Sequence, residues 1–67
     1  MMDQARKHLE AGEWPEAETA LRGELENNPE NAEAAFMLAQ VLQQQGDLEE
    51  ALKWMRDAER LEPFNPN

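Results

Sequence analysis

Cysteine, isoleucine and tyrosine are absent from this chain of 67 residues, and valine and threonine occur once each, as Val41 and Thr19. Without cysteine there is no disulfide framework and no thiolate metal site, the usual reinforcements of so short a chain. Few β-branched and aromatic residues means few of the residues that favour strands. Basic residues are scarce as well: 6 Lys and Arg stand against 15 Asp and Glu, for a net charge of −9. That balance argues against nucleic acid and anionic membrane as partners, since both need a basic patch. No apolar run approaches the roughly 18 residues of a membrane span. Met1-Met2-Asp3-Gln4 also lacks the basic-then-apolar layout of a signal peptide. A cytoplasmic location is expected.

What remains is dominated by Ala, Leu, Glu, Gln and Met, the strong helix formers. Hydrophobic residues reach 40%, too many for a disordered acidic tail. A chain of this length makes one domain at most, here residues 1–67, with a small core. The expected class is all-α.

Glycine and proline divide the chain with a period. Gly12 and Gly46 are 34 positions apart, and so are Pro29 and Pro63. The same shift places Ala5 on Ala39, Glu16 on Glu50, Ala17 on Ala51, Arg22 on Arg56 and Asn31 on Asn65. Each period reads as two helices. In the second, Asn31 caps a helix over 32–45 and Gly46 supplies the left-handed residue that ends it. Asp47 then caps a helix to about Glu62, Glu50 completes a capping-box pattern, and Pro63 stops the helix. In the first, a helix over 3–11 turns at Gly12, and Pro15 sits in the first turn of a helix that runs to Asn27. Gly23 within that helix should cost about 1 kcal/mol relative to Ala, unless its position reflects close approach of a neighbouring helix.

The apolar faces demand packing on both sides. Ala35, Leu38, Ala39 and Leu42 form one stripe on the helix over 32–45; Ala34, Met37 and Val41 form a second, and Phe36 extends the surface. A helix apolar over most of its circumference lies between two others. The helix over 47–62 offers Leu48, Ala51, Leu52, Met55, Ala58 and Leu61; the helix over 14–27 offers Trp14, Ala17, Ala20, Leu21 and Leu25. Four antiparallel helices in succession account for these faces.

Together, the period and the motif residues resemble the tetratricopeptide repeat, with two tandem units over about 1–31 and 32–65. The second unit carries Ala35-x2-Leu38-Ala39-x2-Leu42, Ala51-x3-Met55 and Pro63, with Gly46-Asp47 at the turn. The first carries Met1-x2-Gln4-Ala5-x2-His8, Ala17-x3-Leu21 and Pro29, with Gly12-Glu13 at the turn. It departs from the pattern at Gln4, His8 and Glu24. The resemblance implies a right-handed α-solenoid segment and a non-enzymatic scaffold that binds a peptide or partner helix on its concave face. Carried over by position, that face comprises Met2, Arg6, Leu9 and Glu10 from the first unit, and Phe36, Gln40, Gln43 and Gln44 from the second. A clamp of Lys, Arg and Asn residues for a peptide carboxylate, known in this family, does not fit: only Arg6 is basic at a matching position.

Catalysis has little support. His8 has no nucleophile or acid in triad arrangement. The pairs Glu16/Glu18, Glu24/Glu26 and Glu49/Glu50 fall on helix starts and solvent faces. No metal or cofactor is implied. The end of the array carries the second hypothesis, because solenoids need neighbours or a cap to cover the last apolar face. Leu52, Trp54, Leu61 and Phe64 are expected to form a surface for self-association as a homodimer, unless the chain is a fragment of a longer array. A separate protein or peptide partner should be basic or amphipathic, given the charge.

Overall fold

The computed structural model describes residues 2–63, which fold into α1 (Asp3–Glu10), α2 (Trp14–Asn27), α3 (Ala32–Gln44) and α4 (Leu48–Leu61). Each helix ends within about one residue of its expected boundary. The two glycines explain why. Gly12 and Gly46 have φ of 74° and 85°, the left-handed region that other residues enter only with strain. Gly46 N–H donates to Gln43 and Asp47 N–H to Leu42 (2.9 Å); Gly12 and Glu13 make the same pair of bonds to Leu9 and His8. This double closure satisfies carbonyls that a helix end otherwise leaves open.

The N-termini differ in quality. The Asn31 side-chain oxygen accepts from Ala34 N–H at 3.1 Å, and that of Asp47 accepts from Glu50 N–H at 3.4 Å. The reciprocal half of the expected capping box is displaced, because Asp47 N–H is already donated to Leu42. The Glu50 carboxylate turns instead to Arg22 and Trp54. At α2, Glu13 makes no capping bond with its side chain; its Oε1 lies 2.6 Å from His8 Nδ1.

Consecutive helices pack in order, α1 on α2, α2 on α3 and α3 on α4. The expectation that α3 is sandwiched holds: Ala34, Ala35, Leu38, Ala39 and Val41 are closed to solvent. Ala5, Ala17, Leu21, Leu25, Ala51 and Ala58 join them in a core that, among the described residues, is wholly apolar. Of the two readings of Gly23, close approach of a neighbouring helix is corrected. A Cβ built there meets nothing within 4 Å, so no neighbouring helix requires the glycine.

Candidate functional site

The spacing of α4 sorts its apolar residues by size. Small Ala51 and Ala58 are buried, while the larger Leu48, Leu52 and Met55 recur at i, i+4, i+7 beside them. Across from them α3 presents Ala32, Phe36, Ala39 and Gln43, again at helical spacing. A groove runs between the two helices. One end, of about 560 Å³, is lined by Ala32, Glu33, Phe36, Met55, Ala58, Glu59 and Glu62. The other is lined by Ala39, Gln43, Leu48, Ala51, Leu52 and Met55. Met55 belongs to both, so the apolar floor is continuous. Leu48 is 64% exposed, Leu52 50% and Phe36 45%; they are the large hydrophobic side chains that the described residues leave open. A contiguous surface of this kind on a small protein marks a contact site.

Charge is unevenly distributed around the groove. Glu33, Glu59 and Glu62 rim the end at Phe36. Arg6 reaches from α1 to Glu33 at 2.8 Å, and both side chains are exposed. Arg60 is turned to Asp57 at 2.7 Å.

On another side of the molecule a polar cluster ties α2 to α4. Arg22 donates from Nε to Glu18 and from Nη2 to Glu50, each at 2.9 Å. Gln45 donates to Glu18 at 2.7 Å, and Trp54 Nε1 to Glu50 at 3.3 Å. The Glu18 carboxyl is held below its ordinary range by the bonds from Gln45 and Arg22. Glu50 is lowered by Arg22 and then Trp54. For Arg22, partial burial alone would lower the pKa, but Glu18 and Glu50 together raise it. Every member of the cluster has a partner, so its chemistry is that of a fastener between the repeats.

The residues expected on a concave face divide. Met2 and Leu9 are half-buried against the core, Arg6 is engaged by Glu33, and Glu10, Gln40 and Gln44 are exposed. Phe36 and Gln43 line the α3/α4 groove beside Leu52, a residue expected on the self-association surface. Trp54 lies elsewhere on α4, half-buried against the core, in a hollow with Asp47, Glu50, Lys53 and Asp57. Leu61 is half-buried, and Phe64 lies outside the described residues. Leu48 and Met55, read from the sequence only as packing residues, line the groove, as do Glu59 and Glu62, which the sequence did not single out. The signal was there in the spacing of Leu48, Leu52 and Met55, large residues beside the small Ala51 and Ala58.

No curated protein and no solved structure matches the chain significantly. A family model described as tetratricopeptide repeat matches residues 2–66. Repeats of this family are typically non-enzymatic modules of protein–protein interaction scaffolds. The match spans nearly the whole sequence and agrees with four helices in two consecutive hairpins, so the chain belongs to the tetratricopeptide repeat family.

Proposed function

We propose that this protein is a non-catalytic scaffold that holds a partner helix against α3 and α4, with Phe36 at the centre of the contact. The observation that carries this reading is the continuous groove in which Phe36, Leu52 and Leu48 stay open to solvent over a half-buried Met55. Its neighbour Gln43, with Gln40 and Gln44 exposed on the same helix, adds side chains that both donate and accept hydrogen bonds. Arg6, Met2 and Leu9 extend the surface along α1 if the ligand is an extended peptide.

The test compares proteins retained by the wild type with those retained by two variants. Leu52→Glu places a charge on the groove floor, and Phe36→Ala with Gln40→Ala removes the α3 contact. Both changes fall on exposed positions, and circular dichroism should remain helical. The reading predicts that the same partners are lost from both. Partners retained by both variants would overturn it. Self-association through Leu48 and Leu52 is the alternative that their exposure supports. Sedimentation over a wide concentration range separates the two, because a monomer at all concentrations leaves only the partner reading.

A further inference from the structure

We infer that the α3/α4 groove receives an amphipathic helix of another protein, with small apolar residues facing Phe36 and Met55 and Lys or Arg beside Glu33, Glu59 and Glu62. The inference deepens the proposed reading and rests on it. Its ground is the internal repeat. Shifting the sequence by 34 positions places Met2 on Phe36, Trp14 on Leu48, Leu21 on Met55, Leu25 on Glu59 and Asn28 on Glu62. In the first helix pair the apolar ones among these positions are buried or half-buried, and Asn28 is exposed. With α3 packed on α2, Leu21 is fully buried and Leu25 nearly so, while Met2 and Trp14 pack against the core. In the second pair the equivalents of Met2 and Trp14, Phe36 and Leu48, are exposed, and Met55 is half-buried where Leu21 is fully buried. The groove is therefore the face on which each repeat receives a helix, and the first pair shows the kind of helix it receives. That helix, α3, closes Ala34, Ala35, Leu38 and Val41 to solvent.

Two substitutions between the repeats set the partner's charge. Where the first pair has apolar Leu25 and, just past α2, neutral Asn28, the second has Glu59 and, just past α4, Glu62, and Glu33 completes an acidic rim. Carboxylates beside an incoming helix require cations opposite, because like charges at an interface oppose association. A second copy of this chain is disfavoured on balance of charge: it would bring its own acidic rim and a net charge of −9. Within the chain Arg6 is already engaged by Glu33 and Arg60 by Asp57. The complementary ligand is a basic helix.

The probes are two synthetic helical peptides of α3's length, 13 residues. They share one Ala/Leu stripe and differ in carrying Lys or Glu at the flanking positions. Fluorescence anisotropy is read with the wild type, with Glu59→Gln/Glu62→Gln and with Leu52→Glu. The expected result is that the Lys peptide binds the wild type about tenfold more tightly than the Glu peptide. That preference should shrink towards parity in Glu59→Gln/Glu62→Gln, and Leu52→Glu should lose both peptides. Equal binding of the two peptides, still abolished by Leu52→Glu, would overturn the basic partner and leave the groove reading intact. Binding of neither peptide would overturn both. A dimer in sedimentation that Leu52→Glu dissolves would give the groove to a second copy and overturn the inference.

Discussion

Gly23→Ala should stabilise this protein, while the same change at Gly46 should destabilise it. Gly23 sits in the interior of α2, has no positive φ, and leaves open space where a Cβ would go. Glycine there carries only its cost in backbone entropy, so alanine gains about 0.5–1 kcal/mol. For a domain of this size that corresponds to a rise in Tm of roughly 2–8 °C. Gly46 also has no atom within 4 Å of a built Cβ, but its φ is +85°. The substitution therefore isolates backbone strain, a loss of about 1–2 kcal/mol for an alanine held in the left-handed region. The assay is thermal and urea unfolding followed by circular dichroism at 222 nm, with the urea slope about unchanged in both variants. A fall in Tm for Gly23→Ala would refute the reasoning, because it would mean that a neighbour does press on that position. A neutral Gly46→Ala would refute the claim that the turn requires its left-handed residue.

Leu38→Ala, at a fully buried position, should cost about 2–5 kcal/mol, as much as a core of this size supplies, and leave the chain largely unfolded at room temperature. Leu52→Ala, at a half-exposed position, should cost about 1 kcal/mol or less; urea unfolding of the pair checks the contrast. Glu18 and Glu50, held by Gln45, Arg22 and Trp54, titrate in the folded protein below the pH at which an ordinary glutamate does. The stability they contribute is complete above that pH and is lost as the pH falls through the lowered folded values. Because protonation also relieves the self-repulsion of a chain of net charge −9, the check is a difference. The Tm of the wild type should fall more on acidification than that of Arg22→Met, which lacks the cation that both carboxylates share.

Periodicity made the helices legible before any coordinates. Gly12, Gly46, Pro29 and Pro63 punctuate the chain at the spacing of one repeat, and the local chemistry of Asn31 and Asp47 fixes two helix starts. Size was harder to read than polarity. Ala51 and Leu52 both count as apolar on α4, yet the small residue is buried against α3 and the large one is exposed. Gly23 misled for the same reason: a missing side chain suggests contact, whereas here it is a plain gap in a helix face. The Glu50 carboxylate, expected to cap its own helix, was drawn to Arg22, a partner distant in sequence that only the packing of the repeats brings near. Phe36 and Leu52 looked like members of two separate surfaces because their helices were considered one at a time. The groove belongs to the pair.

The most direct test of the groove as the contact surface is an amide chemical-shift map of the protein titrated with the Lys-flanked peptide. The account predicts that the largest shifts fall on Phe36, Gln43, Leu52, Met55 and Ala58. Shifts confined to Arg6, Leu9, Gln40 and Gln44, with α4 silent, would contradict it.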